Sequence, residues 1–293
     1  MRKKLQKLAN RMKTYLDCIP CFVRQALEAS KMATEDKTKQ EKALKRVLLE
    51  LGKTSLEGKI PPDIARKVHR IIRKVTGNSD PYKKLKDEYN RKALEMYPSL
   101  KRKVAKSKDR LLTATKLAIA GNIIDFGPGS KFDLEKTIRE VLVQDFAVNR
   151  FNRFKEALQK SEKIVYLGDN AGEIVFDRIL LEELKNKKIT FVVKGGPIIN
   201  DATVEDAKFA GIDKIAEIKT VSNEEPGTGP KRNSKEFMDF LKSADVVISK
   251  GQGNYEALSE VNANIFFLLK VKCPTIAKDI GVKIGDIIIK QSR

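Results

Sequence analysis

Four short segments carry the side chains suited to chemistry: GDNAGE (168–173), KGGPIIND (194–201), SKGQGN (249–254) and LKVKCP (269–274). Each follows a β-branched or apolar run. Asp169 and Asn170 offer two hard oxygen donors side by side, and Asp201 offers a third. Oxygen donors without imidazole or thiolate suit Mg²⁺ or Mn²⁺ better than zinc. A helix opening near Ala171 and Gly172, with Glu173 in its first turn, would aim free backbone N–H groups and its positive end at the same space. Gly251 and Gly253 permit close backbone approach to a ligand, and Lys250 and Lys270 can each set an ammonium on a phosphate. Taken singly, Asp-Asn-Ala-Gly is also an ordinary capped helix start, and KGGP and KGQG are ordinary turns. Their coincidence at successive strand ends favours a site for a phosphate ester.

Other chemistries are restricted by composition. The single histidine, His69, lies in PPDIARKVHRIIRKV, where apolar residues recur at helical spacing and Arg66 and Arg70 are close by. It reads as a surface or boundary residue of a helix, and it supports neither a HExxH zinc site nor an evident Ser/His/Asp triad. Three cysteines, Cys18, Cys21 and Cys273, are an odd number in a chain long enough to fold on its own core, which argues against a disulfide framework. Cys18 and Cys21 sit where a helix should begin, a position that stabilises thiolates. With Cys273 they could form a redox or second metal site, zinc needing a further partner such as Asp17, or they could simply be packed.

These segments require a particular scaffold. From about residue 155, short β runs alternate with helical stretches: KIVYL (163–167), ITFVV (189–193), DKIAEI (213–218), DVVIS (245–249), NIFFLL (264–269) and DIII (286–289). Alternation of this kind predicts a mostly parallel sheet covered on both faces, with ligands beyond the carboxyl ends of the strands. The first half is helical throughout, its stripes separated by Gly58 with Pro61 and Pro62, by GNSDPY (77–82), by Pro98 and by FGPGS (126–130). The expected fold class is α/β: a helical domain over 1–154, then a Rossmann-like three-layer αβα domain over 155–293.

The chain of 293 residues carries a net charge of +20, placed unevenly. Residues 1–150 hold 36 Lys/Arg against 18 Asp/Glu, whereas residues 151–293 hold 23 against 21. The basic half could bind a polyanion, but its charges are scattered at helical spacing without interleaved aromatics, so a solvated lysine-rich surface is the simpler reading. Abundant Lys, one His and no Trp resemble a thermophile's surface composition. No apolar run reaches the roughly 20 residues that span a bilayer, and MRKKLQKLANRMK lacks an apolar stretch behind its charged front. A cytoplasmic protein without a membrane partner is expected.

LGDNAGEIVFD, KGGPIINDAT, SKGQGNYE and FLLKVKC, in that order behind a helical region that begins near DCIPC, resemble the metal-dependent damage-control phosphatases, long catalogued as a domain family of unknown function. The Cys-x-x-Cys pair, Cys18 and Cys21, resembles the version typical of archaeal and bacterial members. The resemblance implies one divalent cation (Mn²⁺, Ni²⁺, Co²⁺ or Mg²⁺) bound by Asp169, Asn170 and Asp201. It implies a phosphate held by Lys250, Gly251 and Asn254 together with a later lysine, registered on either Lys270 or Lys272, with Lys270 favoured; Gly172 and Glu173 join that set. The expected activity is hydrolysis of small phosphate monoesters such as sugar phosphates, phosphopantetheine-like compounds and damaged nucleotides. Asp169, Asp201 and Lys250 are the expected catalytic groups. Either Asp169 attacks covalently, or a carboxylate such as Glu173 or Asp206 guides a water. GNIID (121–125) also resembles a family stretch, so Asn122 or Asp125 could reach the site, although a helix end at Gly121 explains it equally well. The rival functions are a nucleic-acid binder using the basic half and a Rossmann-like nucleotide-binding or methyl-transferring enzyme. The second would want GxGxxG after the first strand, which GDNAGE does not match.

Overall fold

In the computed structural model, residues 13–122, 134–221 and 234–292 are described. The helical first half comprises α1 (Cys18–Ala33), α2 (Lys37–Lys53), α3 (Pro61–Thr76), α4 (Lys83–Ala105), α5 (Arg110–Gly121) and α6 (Leu134–Val143). Local chemistry sets several of their ends. Asp36 accepts from the Thr38 and Lys39 amides at the start of α2, and Asp109 from the Leu112 amide at the start of α5. Prolines open α3, and Gly77, with φ of 77°, closes it in the left-handed region.

The sheet elements follow as β1 (Phe146–Asn149), α7 (Phe151–Lys160), β2 (Lys163–Leu167), α8 (Glu173–Glu183), β3 (Lys188–Lys194), α9 (Val204–Phe209) and β4 (Glu217–Val221), then α10 (Lys235–Lys242), β5 (Val246–Lys250), α11 (Gly251–Leu258), β6 (Ile265–Lys270), α12 (Pro274–Ile280) and β7 (Ile287–Gln291). The strand order is β1-β7-β6-β5-β2-β3-β4. Neighbouring strands are parallel except β6 and β7. Alternate residues of β2 serve opposite faces: Ile164 and Tyr166 join the core shared with α5, α7 and α8, while Val165 and Leu167 join that of α10, α11 and α12. This is the expected three-layer α/β arrangement. The chain runs from β2 outward to β4 and then returns to β5 on the other side of β2, so the crevice of the sheet opens between the ends of β2 and β5.

Helices α1 to α3 bury a core of their own around Phe22, Val47, Ile64 and Ile72. By contrast, α4 and α5 contribute Tyr89, Ala93, Leu117 and Ala118 to the core that backs the sheet. Gly121 makes one close approach possible, since a Cβ there would lie 2.9 Å from Phe176 Cβ on α8.

Several local expectations are corrected. Pro98 does not end a helix but sits inside α4, where burial of Ala93, Leu100 and Val104 on either side outweighs a cost of about 3 kcal/mol. DKIAEI is split, a 3₁₀ turn taking Ile212–Lys214 before β4 begins at Glu217. Strand β1 has no counterpart in the sequence reading. His69 is buried at 3% exposure, edge-on to Tyr82 at 6.0 Å, rather than at a boundary. FGPGS and Asp125 lie outside the described residues.

Candidate active site

Two loops that leave neighbouring parallel strands zip together. Beyond β2, the Asp169 carbonyl accepts from the Ala202 amide at 2.8 Å, and the Ala171 amide donates to the Asn200 carbonyl at 2.9 Å. An isolated bridge joins Asn170 to Asp201. This pairing brings Asp169, Asn170 and Asp201, 32 residues apart at the extremes, onto the wall of one cavity of about 800 Å³. Gly251 fixes their approach to β5: it has φ of 77°, and a Cβ there would stand 1.8 Å from Asp169 Oδ2. Only glycine leaves room for that carboxylate.

Asn122, the residue after α5, completes the cluster from the helical side. Its Nδ2 donates to Asp169 Oδ2 at 3.0 Å and to Glu173 Oε2 at 3.1 Å, while its Oδ1 is buried and has no hydrogen-bond partner among the described residues. Burial first, then the negative charges of Glu173 and Asp201, push the Asp169 carboxyl well above the usual range, against the pull of Lys194 and Lys272. Burial likewise raises Asp201, opposed by Lys194 and Lys86. Two half-buried carboxylates and an amide oxygen form a donor set that fits a hard divalent cation, whose charge would relieve this repulsion. Among the described residues no group of three or more His, Cys, Asp or Glu side chains has such geometry.

Several expected phosphate contacts are placed elsewhere. Lys250 is fully buried, with Nζ donating to Glu173 Oε1 at 2.6 Å, Asp177 Oδ1 at 2.6 Å and the Ala118 carbonyl at 2.8 Å. All three of its protons are used, so none points at a ligand. Burial disfavours its charge, but the two carboxylates outweigh that effect and hold the ammonium protonated. Glu173 is also fully buried, behind Asn170, and does not line the cavity. The Gly172 amide is taken by Asn90 Oδ1 at 2.6 Å. Asn254 lines the cavity but donates to the Gly168 and Lys250 carbonyls at 3.2 and 2.8 Å, tying the ends of β2 and β5 together. Asp206 accepts from Asn90 and from Thr203 at the start of α9, a capping role, and it is buried away from the cavity lining. Gly251 to Gly253 form the first turn of α11 rather than a loop.

Of the two lysines in LKVK, Lys272 lines the cavity and Lys270 does not. Lys194, at the end of β3, also lines it, 3.9 Å from Asp201 and 3.4 Å from Asn254 Oδ1. The strand-end rule that singled out Asp201 applies equally to Lys194, which begins the same quoted segment. Asn90 and Lys86 had no such signal, being polar residues on an amphipathic helix whose contact with the sheet exists only in the fold. Lys86 is 2% exposed and 2.8 Å from Asp80.

Cys18, Cys21 and Cys273 all line the same cavity as free thiols. Burial raises the Cys18 thiol above the ordinary range, and Cys21, exposed at its surface, is raised by partial desolvation and then by the neighbouring Cys273 and Cys18. Glu256 beside them is pushed up by burial to about 8.

Comparison with known proteins places this geometry in a family. Residues 14–288 match the model of the damage-control phosphatase ARMT1-like domain. Uncharacterized protein MJ0202 of Methanocaldococcus jannaschii is 38% identical over 285 residues, 93% of each chain. Damage-control phosphatase PH1575 of Pyrococcus horikoshii is 37% identical over 287 residues, 96% of this chain and 99% of that one. The crystal structure of PH1575, described as a duf89 family protein, superposes with a TM-score of 0.83, covering 97% of this chain and 100% of that chain at 34% identity. The chain belongs to the family of damage-control phosphatases with an ARMT1-like domain.

Proposed function

We propose that this protein hydrolyses small phosphate monoesters, sugar phosphates, phosphopantetheine-like compounds or damaged nucleotides among them, with one divalent cation held by Asp169, Asn170 Oδ1 and Asp201. The observation that supports this most is the zipped pair of strand ends, which sets two carboxylates and an amide on a cavity wall with Lys194 and Lys272 alongside. Mn²⁺, Co²⁺, Ni²⁺ and Mg²⁺ all accept such oxygens. Bound there, the cation supplies Lewis-acid polarisation of a phosphoryl oxygen. Lys194 and Lys272 bind and orient the phosphoryl group and offset its charge, which is most of what a loose phosphoryl-transfer transition state requires. Lys250 acts from behind by holding Glu173.

In this proposal the α/β unit (155–293) supplies the chemistry and the helical unit (1–154) walls the leaving-group side, where Arg24, Gln25 and Arg66 line the cavity. Three free thiols suit a reducing cytoplasm. Phosphate release from a panel of small esters, with Mn²⁺, Co²⁺, Ni²⁺ or EDTA, tests the activity directly. Asp201→Asn removes one charged ligand and should abolish metal-dependent release; activity retained in that variant would overturn the ligand set.

A further inference from the structure

A carboxamide can turn either end toward a cation site, and only its oxygen can ligate. At Asn170 the nitrogen is committed inward, with Nδ2 donating to Asp169 Oδ2 and to Glu173 Oε2, each at 3.1 Å. Asn122 Nδ2 donates to the same two oxygens. Glu173 Oε2 therefore collects two amide nitrogens, while its Oε1 accepts from Lys250. Behind Lys250, Asp177 Oδ1 accepts both from that ammonium at 2.6 Å and from the Tyr166 hydroxyl at 2.7 Å. Glu173, Asp177, Lys250 and Tyr166 are all fully buried. Removing three charged groups from water costs stability that well-packed apolar side chains would not incur, so such a string needs a role beyond filling space. Glu173 is fully buried behind Asn170 and is not on the cavity lining, so its position favours holding its neighbours over acting as a general base.

We infer that Glu173, pinned by Lys250 and Asp177, is a positioning residue: it holds the Asn170 amide nitrogen-inward and so presents Oδ1 to the cation site. The inference rests on the cation reading above and concerns how this chain prepares that site. Asp169 alone does not secure the orientation, because its carboxylate must also serve the cation. Glu173 is the acceptor in contact with Asn170 that is kept away from the cavity.

Glu173→Gln keeps the shape of the side chain and still lets Oε1 accept from Lys250, but it sets an NH₂ against the two amide nitrogens. Asn170 should then turn over. Mn²⁺ affinity, read from the electron paramagnetic resonance of the free ion, should fall by about 10- to 100-fold, with the metal-free melting temperature little changed. In an Asn170→Asp background either end of residue 170 is an oxygen and orientation loses its meaning. There the same Glu173→Gln change should alter Mn²⁺ affinity by less than about threefold. An equal loss in both backgrounds, or no loss in the parent, overturns the inference.

The wild-type protein provides a reading that does not depend on a variant folding. With isotope-labelled asparagine, the Asn170 side-chain amide protons should exchange with water at least about tenfold more slowly than those of the exposed Asn186. Exchange as fast as at Asn186 overturns the inward orientation. Failure of wild-type protein to bind Mn²⁺ would overturn the cation reading instead, while the exchange measurement still decides how Asn170 faces.

Discussion

At the residue scale, LKVK shows where alternation along a strand stops being a guide. Lys270 is the last residue of β6, paired with Ile287 of β7. Strict alternation would put Lys272 on the same side, but the chain leaves the strand at Val271, whose amide donates to the Asp286 carbonyl. The Lys272 amide then donates to Gln252 Oε1 at 2.6 Å, which draws this residue to the start of α11 and the cavity. Lys272→Met should therefore lower kcat/KM by roughly 10²-fold or more, the scale of removing one preorganised charge from a transition state. Lys270→Met, at a half-buried residue off the cavity lining, should stay within about twofold. Steady-state kinetics on any accepted ester decides between them, and a reversed order would return the phosphate to Lys270. Asp169, Asn170 and Asp201 were legible because the strand-end rule needs only local sequence. Asn90, Lys86 and the burial of Lys250 were not, since each depends on a helix far away in sequence.

At the element scale, α3 was legible as a helix from its period, whereas the place of His69 depends on what covers it. Burial, with Arg73 nearby, holds its imidazole down at about 4 instead of 6.5. The unfolded chain takes up a proton near pH 6.5 that the folded chain refuses until about pH 4. Stability from this group is thus complete above pH 6.5 and declines as pH falls through that window, by about 1.4 kcal/mol per unit. Glu256 works in the opposite direction, because burial raises it from 4.5 to about 8 and the folded state keeps a proton that the unfolded state has lost. A single wild-type curve mixes the two, so the difference between proteins is the useful quantity. His69→Phe should resemble the parent at pH 7.5 and be relatively more stable by about 2 to 3 kcal/mol at pH 4.5, measured by urea unfolding. A difference that does not change with pH would show that the imidazole titrates normally. The same dependence on cover explains the other misread elements: Pro98 is tolerated because α4 is packed along its length, and β1 is only four residues long, with little period to detect.

At the scale of the whole molecule, the charge asymmetry gains a location that composition alone could not provide. The basic half includes helices that wall the cavity, with Arg24 and Arg66 on its lining, while Lys194 and Lys272 of the nearly neutral half line it near Asp201 and Asp169. The lining also carries Asp17, Glu28 and Glu256, so it is the chain's net charge of +20, and not the lining alone, that would draw anionic esters over about a Debye length, ~10 Å at 0.1 M salt. Within the bound complex the contacts are short and little screened. Raising NaCl from about 20 to 300 mM should therefore lower kcat/KM several-fold and leave kcat nearly unchanged, because the field assists encounter rather than chemistry. Position can be separated from total charge with two neutralisations of equal size. Arg24→Gln at the cavity should flatten the dependence of kcat/KM on salt, whereas Lys163→Gln, exposed at the opposite end of β2, should leave it as in the parent. Equal flattening by both would mean that net charge alone draws the substrate. A salt-independent kcat/KM would assign the excess of lysine and arginine to a solvated surface with no part in catalysis.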